Sequence, residues 1–227
     1  MLERLELLIG KEKVEKLRSK KILVIGLGGV GGYVVESLVR SGIENIIIVD
    51  NDVVDITNLN RQIIATRDNI GKKKTIEFER RIKSINKNCK VKTISEFITK
   101  DNIDKLFEEK IDYLIDACDT ISTKKLIIDN CIKENISFVT CLGTGKRLRP
   151  ELLTITDIRN TKYDPIARIL RKHVKDSNYK GKIMCLFSEE EPIECKGGIG
   201  SNSFVPPSAG LLIASYVIRD LINEENR

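Results

Sequence analysis

The sequence predicts an α/β protein with a Rossmann-like, doubly wound and mostly parallel sheet, helices on both faces and a C-terminal extension that mixes strand and helix. Three observations predict this class. Short apolar segments alternate with helix-like segments along the chain. A glycine-rich loop, Gly26-Leu27-Gly28-Gly29-Val30-Gly31, lies between the first strand and the first helix of that alternation. With 227 residues, 41% hydrophobic and 32% charged, the chain has the size and composition of one globular core.

The predicted elements begin with an amphipathic helix in residues 1–20, interrupted near Gly10. Buried strands of a parallel sheet are short, continuous apolar runs. The segments 21–26 and 45–50 fit this description, and further strand-like segments are predicted at 90–95, 113–117, 137–141, 152–156 and 183–187. The predicted helices between and after them are 30–41, 71–86, 101–108, 120–135, 164–174 and 206–223. The stretch 51–69 is polar and without periodicity, and is predicted as a loop.

Composition excludes several classes of protein. Apolar runs such as 46–49 and 211–214 are far shorter than the roughly 20 residues of a membrane span. Residues 1–6 lack the order of a signal peptide, so we predict a cytoplasmic protein without a membrane segment. The six cysteines form no C-x-x-C pair, which argues against a zinc site and favours buried thiols.

The glycine loop predicts a nucleotide site. Glycines between a strand and a helix permit a tight turn and the close approach of phosphates, and amide groups at the helix start attract negative charge. Asp50 ends the next predicted strand, where its carboxylate can accept hydrogen bonds from a ribose. These features fit ATP and NAD equally well, so the nucleotide has to be identified from other residues.

Three further segments bear on the identity of the nucleotide: Asp50-Asn51-Asp52-Val53-Val54-Asp55-Ile56-Thr57-Asn58-Leu59-Asn60-Arg61-Gln62, Ile70-Gly71-Lys72-Lys73-Lys74 and Asp116-Ala117-Cys118-Asp119. Together they resemble the ThiF-type, E1-like family of ATP-dependent adenylating enzymes, which activate ubiquitin and sulfur carriers. The resemblance implies that Asp50 binds the ribose, that Asn58, Arg61 and Lys74 bind the phosphates, and that Asp119 holds Mg²⁺. The implied nucleotide-binding residues are Gly26, Gly28, Gly29, Gly31, Asp50, Asp52, Asn58, Arg61, Gln62 and Lys74. Lys72 and Lys73 are equally available to a phosphate.

The charges of these residues agree with the implied roles. A triphosphate carries more charge than a dinucleotide pyrophosphate, and cations and a metal stabilise the leaving pyrophosphate. Arg61, Lys74 and Asp119 are therefore predicted catalytic residues. The resemblance adds Arg4, which in related enzymes enters the ATP site of the partner subunit, and it implies an obligate homodimer.

Four further runs narrow the resemblance: Thr156-Asp157-Ile158, Tyr163-Asp164-Pro165-Ile166-Ala167, Lys180-Gly181-Lys182-Ile183-Met184-Cys185-Leu186-Phe187-Ser188 and Ser203-Phe204-Val205-Pro206. They resemble the branch of tRNA threonylcarbamoyladenosine dehydratases. Sulfur-carrier activators usually carry two C-x-x-C pairs, which this chain lacks. The resemblance implies that ATP adenylates the threonyl carboxylate of the modified adenosine, and that the carbamoyl oxygen then closes an oxazolone ring and releases AMP.

The net charge of +6 is concentrated in one segment. Residues 159–182 contain eight basic residues against Asp164 and Asp176, which accounts for the whole excess. Such a concentration is typical of a polyanion-binding surface, and a solvated basic face has the same composition. The predicted tRNA contacts in this segment are Arg168, Arg171, Lys172, Lys175, Lys180 and Lys182.

We interpret residues 1–227 as one domain, with an N-terminal helix (1–20), a nucleotide-binding core (21–150) and a substrate-binding extension with the last helix (151–227). Three alternatives stay open: activation of the C-terminal glycine of a ubiquitin-like sulfur carrier, with sulfur transfer through Cys118 or Cys185; a nucleotide-binding scaffold without turnover; and an NAD oxidoreductase. A sulfur-relay partner and a structural monovalent cation are further expectations.

Overall fold

One seven-stranded sheet forms the centre of the protein in the computed structural model, which describes residues 1–223. The strands are β1 (Lys21–Ile25), β2 (Asn45–Val49), β3 (Lys90–Ile94), β4 (Tyr113–Asp116), β5 (Phe138–Cys141), β6 (Leu153–Asp157) and β7 (Met184–Ser188). Their order across the sheet is β3-β2-β1-β4-β5-β7-β6. Neighbouring strands are parallel except β6 and β7, which are antiparallel. The predicted doubly wound, mostly parallel sheet with a mixed C-terminal extension is confirmed.

The α-helices in the described part of the chain are α1 (Glu3–Ile9), α2 (Lys11–Ser19), α3 (Gly31–Arg40), α4 (Lys74–Ile85), α5 (Ile121–Lys133), α6 (Pro165–Asp176) and α7 (Val205–Ile222). They cover both faces of the sheet because side chains alternate between faces along each strand. Ile22 and Val24 of β1 belong to the core cluster that includes α3, α4 and α7. Leu23 and Ile25 belong to the opposite cluster, to which α5 contributes.

Most predicted boundaries agree with the structure to within three residues, and the N-terminal helix is interrupted at Gly10 (φ 90°) as predicted. The predicted helix at 101–108 is wrong in type. It is a short 3-10 helix, Ile103–Phe107, in which Ile103 and Leu106 are both buried. A three-residue spacing returns to the same face in a 3-10 helix, so this short segment buries both side chains without a full α-helix.

The last helix, α7, is the one helix among residues 1–223 with the length and apolar composition of a membrane span, and half of it is buried inside the protein. Its buried residues, such as Ile213 and Val217, pack in the same core cluster as α3. This is the environment of a core helix in a globular fold. Positions 224–227 of the predicted extension lie outside the described residues.

The strand order places a crevice at one edge of the sheet. The chain leaves β1 for β2 on one side and later returns to β4 on the other side of β1, so the connections diverge at the carboxyl ends of β1 and β4. In doubly wound sheets, ligands bind at this topological switch point.

Candidate active site

A cavity of about 420 Å³ opens at the carboxyl ends of β1, β2 and β4. Its lining includes the following residues that the sequence singled out: Gly26, Gly28, Gly29, Asp50, Asp52, Asn58, Arg61, Gln62, Lys74 and Asp119. Residues that the sequence did not single out complete it, among them Phe97 beyond β3, Thr144 beyond β5 and Ser201 before α7. The switch point thus brings together segments that are far apart in the chain.

The glycine loop turns sharply from β1 into α3. Gly26 has φ +90°, and a Cβ there would lie 2.7 Å from the carbonyl carbon of Ala117. A Cβ on Gly28 would meet no atom closer than 3.9 Å, so this glycine faces open space in the cavity. Gly31 does not line the cavity, in contrast to the nucleotide contact predicted for it. A Cβ there would lie 1.8 Å from the carbonyl oxygen of Gly26, so Gly31 allows the start of α3 to pack on the loop.

Asp50 is held in position by the backbone of the loop. Its Oδ2 accepts a hydrogen bond from the Leu27 N–H at 2.6 Å, and its Oδ1 accepts one from the Asp52 N–H at 2.8 Å. The Asp50 side chain is only 8% exposed. A carboxylate that accepts two backbone hydrogen bonds keeps one orientation, and its remaining lone pairs can accept bonds from a ligand.

Lys74 is the one of the three consecutive lysines that lines the cavity. Its side chain is 4% exposed, and its Nζ donates to Oδ2 of Asp52 at 2.8 Å and lies 4.0 Å from Oδ2 of Asp50. Lys72 and Lys73 are exposed. Because Lys74 is the first residue of α4, its ammonium group lies at the end of that helix nearest to the cavity.

The segment that carries Arg61 is fixed by local hydrogen bonds. Asp55 and Asn58 form a reciprocal cap on the 3-10 helix Ile56–Asn58. One turn later the Arg61 Nη1 donates to the Thr57 carbonyl oxygen and to Oδ1 of Asn60, each at 2.8 Å. The guanidinium therefore has a defined position at the cavity wall while some of its other donors stay available.

Gln62 presents an unmatched polar atom beside the glycine loop. Its side chain is buried, and its Oε1 has no hydrogen-bond donor among the described residues. The Gln62 Nε2 would lie 3.9 Å from a Cβ on Gly28. Buried polar groups are rarely left unpaired in folded proteins, so this amide is suited to a polar ligand in the cavity.

A buried ion pair lies beneath the segment 116–119. Lys124 Nζ lies 3.0 Å from Oδ2 of Asp116 and also donates to the Cys141 carbonyl oxygen at 2.7 Å. Thr140 Oγ1 donates to the same Asp116 oxygen at 2.6 Å, and Asp116 Oδ1 accepts from the Cys118 N–H at 3.2 Å. This network orients the loop that carries Asp119.

Lys124 is not among the site residues predicted from the sequence. The sequence nevertheless indicates that Lys124 is buried, because it lies on the same helical face as Ile121, three residues before it, and Ile128, four residues after it. A lysine on an apolar helical face needs a buried partner.

Asp119 is exposed and lines the cavity. No group of three or more His, Cys, Asp or Glu side chains within residues 1–223 could by itself hold a metal ion. Mg²⁺ is commonly bound by one or two carboxylates together with substrate phosphates and water. The exposed carboxylate of Asp119 in the cavity lining therefore fits a magnesium ion that arrives with a nucleotide.

Cys118 and Cys185, the two thiols considered for sulfur transfer, are poorly suited to nucleophilic chemistry. Burial and the neighbouring Asp116 carboxylate raise the pKa of the Cys118 thiol, and burial raises the pKa of Cys185. A thiol with a raised pKa is protonated at neutral pH, and the protonated form is a weak nucleophile. Cys118 lines the cavity without being activated there.

Arg4 lies on α1, where it is exposed, and it is absent from the lining of its own chain's cavity. The described structure therefore contains no contact of Arg4 with the residues predicted to act with it. Its predicted role in a partner's site stays a prediction.

The basic segment forms two different surfaces. Arg168, Lys172 and Lys175 are exposed along one face of α6, at i, i+4 and i+7, and none forms an ion pair with the described residues. Lys180 and Lys182 are also exposed, but they precede β7 at the amino edge of the parallel strands, on the side away from the cavity.

Two arginines of the basic segment are engaged within the protein. Arg171 is half-buried, and its Nη1 donates to the Thr161 carbonyl oxygen at 3.1 Å. Arg159 donates to Oδ2 of Asp157 and to the Tyr179 carbonyl oxygen, both at 2.9 Å. These two side chains have less capacity for an external phosphate than the exposed face of α6.

The chain matches known proteins over nearly its whole length. The model of the ThiF family matches residues 2–192. The tRNA threonylcarbamoyladenosine dehydratase of Bacillus subtilis is 35% identical, covering 96% of this chain and 93% of the relative. That of Escherichia coli is 32% identical, covering 97% and 92%.

Solved structures agree with this similarity. The structure of the E. coli tRNA N6-threonylcarbamoyladenosine dehydratase, TcdA, in complex with ATP aligns with a TM-score of 0.92 and 34% identity, covering 98% of this chain and 93% of that one. The ThiS adenylyltransferase of B. subtilis, in contrast, matches only 60% of this chain and 41% of its own length, at 34% identity. The chain therefore belongs to the ThiF family, in the branch of the tRNA threonylcarbamoyladenosine dehydratases.

Proposed function

We propose that this protein uses ATP to cyclise N6-threonylcarbamoyladenosine in tRNA to its oxazolone form, with loss of one water molecule overall. One structural observation carries this proposal: Asp50, Arg61, Lys74 and Asp119 converge on one cavity at the switch point of the sheet. The similarity to ATP-bound TcdA and to dehydratases of nearly equal length supports it.

The nucleotide occupies the cavity with its phosphates at the glycine loop. Asp50 accepts hydrogen bonds from the ribose, because its free lone pairs lie beside the loop. Lys74 exchanges its bond to Asp52 for a phosphate oxygen, and Asp52 is exposed enough to be solvated after the exchange. Asn58, Arg61 and Gln62 complete the phosphate contacts. Mg²⁺ held at Asp119 would neutralise charge on the phosphates.

The reaction then proceeds in two steps. A carboxylate oxygen of the threonyl group attacks the α-phosphorus, forms the acyl adenylate and expels pyrophosphate, whose negative charge Arg61 and Lys74 stabilise. The carbamoyl oxygen next attacks the activated acyl carbon. A new carbon–oxygen bond closes the ring, the bond to AMP breaks, and the carbamoyl nitrogen loses a proton. Since the second nucleophile belongs to the substrate, no enzyme thiol is required, in agreement with the raised pKa of Cys118.

The tRNA binds along the basic segment. The exposed face of α6, with Arg168, Lys172 and Lys175, supplies phosphate contacts that give affinity and salt dependence without reading bases. Lys180 and Lys182 form a second exposed surface for tRNA phosphates at the amino edge of the parallel strands, while Arg171 has a smaller part because Thr161 engages it. A tRNA-modifying enzyme acts where tRNA is present, which supports the predicted cytoplasmic location.

We further propose a homodimer in which Arg4 of each chain enters the partner's ATP site. Its exposure on α1 leaves it available for this role. The single domain of residues 1–227, a structural monovalent cation and a sulfur-relay partner stay predictions.

The alternative function is adenylation of the C-terminal glycine of a ubiquitin-like sulfur carrier. The same ATP cavity would serve it, and the sulfur-carrier adenylyltransferase of B. subtilis matches part of the chain. The thiols of Cys118 and Cys185, whose pKa values are raised chiefly by burial, do not favour sulfur transfer.

The deciding experiment incubates the purified protein with ATP, Mg²⁺ and tRNA that carries threonylcarbamoyladenosine, and analyses the nucleosides by mass spectrometry under conditions that preserve the oxazolone. We expect a nucleoside lighter by one water molecule and stoichiometric AMP and pyrophosphate. An unchanged nucleoside mass, together with pyrophosphate exchange that depends on a carrier peptide ending in glycine, would establish the alternative instead.

A further inference from the structure

The helix α7 has an outer side without charged residues. Residues 205–218 contain no Asp, Glu, Lys, Arg or His. One side of the helix packs in the core, but Leu211 and Leu212 are 49% and 39% exposed. Ser215, four and three residues after them, is exposed on the same side. A helix side that faces water is normally rich in charged residues, so this side of α7 is suited to contact with another apolar surface.

The helix α1 carries a second exposed apolar group. Leu7 is 88% exposed and Leu8 is 79% exposed, and no residue of α1 is buried. Arg4 precedes these leucines by three and four residues and therefore lies on the same side of the helix. Single exposed leucines are ordinary, but a pair of leucines that belongs to a larger apolar surface indicates a contact with another molecule.

A third exposed apolar group borders the cavity of the candidate active site. It consists of Val53, Ile56 and Ile70, which are 47%, 58% and 42% exposed. An antiparallel backbone bridge joins the segments 53–56 and 70–73. We call these two segments the rim, because the residue before the first segment and the residue after the second both line the cavity.

All three groups lie on the same side of the sheet. The core cluster on that side includes Val54 of the rim, Ile82 of α4 and Val217 of α7, and Ile9 of α1 packs against it. The helices α5 and α6 pack in the clusters of the opposite side. The outer side of α7, the exposed leucines of α1 and the rim thus belong to one face of the protein, which we call the α7 face.

Along the α7 face the three groups occupy different levels. The rim lies beyond the carboxyl end of β2. Leu2, just before α1, packs at Gly42, where a Cβ would lie 2.9 Å from its Cδ1, and Gly42 precedes the amino end of β2. The helix α7 spans both levels, because Pro206 lines the cavity and Asp220 lines a cleft with Tyr113 at the amino end of β4. The exposed leucines of α7 therefore lie between α1 and the rim.

This arrangement meets the requirement of a two-fold symmetric dimer. Both copies use the same surface in such an interface, and a part that lies away from the axis contacts a different part of the partner. With the axis at the outer side of α7, the two α7 helices face each other. The helix α1 of each copy then reaches the rim of the other copy.

The charges at the two ends of the α7 face are complementary. Glu3 and Glu6 lie on α1, whereas Lys72 and Lys73 of the rim are exposed. Opposite charges that meet across an interface favour this pairing over other orientations. An α1 helix placed on the rim also brings Arg4 to the edge of the partner's cavity.

We propose that the α7 face is the interface with a second copy of this chain, and that α1 of each copy covers the rim of its partner's cavity. The inference rests on the homodimer of the proposed function and names its surfaces. Association removes the exposed leucines and the rim from water, which is favourable roughly in proportion to the apolar area covered. The border of each ATP site is then complete only in the dimer.

The first test measures the mass of the protein in solution by analytical ultracentrifugation over a range of concentrations. Wild type should have twice the chain mass of 25.7 kDa at micromolar concentration. Leu212→Glu should raise the dimer Kd by about 100-fold or more, because it places a charge in the apolar centre of the interface. Its melting temperature should stay close to that of wild type, since Leu212 is exposed in the single chain.

Ile169→Glu is the matched control, because Ile169 lies on α6, on the opposite side of the sheet, and is 36% exposed against 39% for Leu212. The control introduces the same charge at a position of similar exposure. It should dimerise with a Kd within about threefold of wild type.

The second test exchanges charges between α1 and the rim. One variant is Glu3→Lys with Glu6→Lys, and the other is Lys72→Glu with Lys73→Glu. Each variant alone should have a dimer Kd at least about tenfold above wild type, because like charges meet at both contacts between α1 and the rim. An equimolar mixture should form heterodimers with nearly wild-type affinity, since opposite charges then meet at both contacts. A folding defect in either variant cannot produce this recovery.

Three results overturn the inference. A monomeric wild type would exclude the interface, and a dimer that Leu212→Glu and Ile169→Glu weaken equally would place the interface elsewhere. A mixture of the two charge variants that associates no more tightly than its components would show that α1 does not contact the rim. Failure of the proposed function is read separately, as an unchanged nucleoside mass, and leaves the measured mass of the protein unaffected.

Discussion

Lys124 Nζ lies 3.0 Å from Oδ2 of Asp116, and the two side chains are 1% and 0% exposed. Burial by itself lowers the pKa of Lys124, but the neighbouring acidic groups, Asp116 first among them, together outweigh burial and raise it, so the ammonium group is charged at neutral pH. Asp116 ends β4, and the loop after it carries Cys118 and Asp119 into the cavity. The ion pair therefore couples the core to the candidate magnesium ligand.

Lys124→Met should destabilise the protein by about 3–5 kcal/mol, because it leaves the Asp116 carboxylate buried without its counter-ion. Chemical denaturation measures the loss. The double variant Lys124→Met with Asp116→Asn should recover most of it, since no net charge then remains buried. The control is Lys125→Met, on the adjacent helical position, for which we expect a change within about 0.5 kcal/mol. Equal losses of unfolding free energy in Lys124→Met and Lys125→Met would contradict a stabilising role of the ion pair.

Lys74→Gln should lower the rate of pyrophosphate release in the presence of modified tRNA by about 100-fold or more, because a cation that stabilises the leaving pyrophosphate is lost. Lys73→Gln, one residue away and exposed, should retain activity within about threefold of wild type. Single-turnover measurements separate this step from product release. If the two variants lose activity equally, Lys74 does not have the phosphate role.

Arg4→Ala should be inactive by itself if Arg4 acts in the partner's site. An equimolar mixture of Arg4→Ala and Lys74→Gln chains should then recover up to about a quarter of wild-type activity, because half of the dimers are mixed and each mixed dimer has one complete site. Subunit exchange before the assay and a measured dimer mass are the necessary controls. A mixture no more active than its components would place Arg4 outside the partner's site.

Because of Glu36, the free energy of unfolding should fall as the pH is lowered into the acid range. It joins α3 to α4, with Oε2 accepting from the Arg81 Nε at 2.7 Å and Oε1 from the Arg40 Nε at 2.8 Å. Burial raises the pKa of Glu36, but the hydrogen bonds from Arg81 and Arg40 outweigh it and hold the pKa below its ordinary value of 4.5. The contribution of ionised Glu36 to folding stability is thus complete above its unfolded-state pKa, and it is lost as the pH falls through the lower folded-state pKa.

Glu36→Gln should therefore cost about 1–3 kcal/mol at pH 7, and the difference from wild type should shrink below about pH 4. Denaturation curves over a range of pH measure this. Glu79 lies on α4 and forms no hydrogen bond or ion pair through its side chain with the described residues, so Glu79→Gln should show no such convergence. A constant difference between Glu36→Gln and wild type down to pH 3 would show that the carboxylate does not titrate with folding.

Replacing Arg168, Lys172 and Lys175 together by Gln should weaken tRNA binding and lower the slope of log Kd against log salt by about 2–3, since each phosphate contact contributes nearly one counterion. The charge-matched control replaces Lys87, Lys100 and Lys105, which are exposed elsewhere on the protein. Both variants should bind ATP normally. An equal change of salt slope in the two variants would indicate a general effect of net charge.

Most helices and strands were predictable because the sequence patterns that mark them involve residues close together in the chain. Parallel strands are buried on both sides and appear as apolar runs, so β1 and β2 were predicted to within one residue of their observed ends. The helix type of the segment 103–107 was harder to predict, since a short 3-10 helix and an α-helix place apolar residues at similar spacings. The pairing of β6 antiparallel to β7 depends on contacts between strands and has no local signal.

The sequence by itself predicted most of the residues that we propose to bind ATP, because the glycine loop, Asp50, Arg61 and Lys74 belong to motifs whose residues are close in the chain. The tertiary structure decided which lysine enters the cavity, the packing role of Gly31, the ion pair of Lys124 with Asp116 and the side of the sheet that α1, α7 and the rim share. The physical reason is that pairing and desolvation depend on the groups that surround a side chain. For Lys124 those groups are the Asp116 carboxylate and the Cys141 carbonyl oxygen, which only the folded chain brings together.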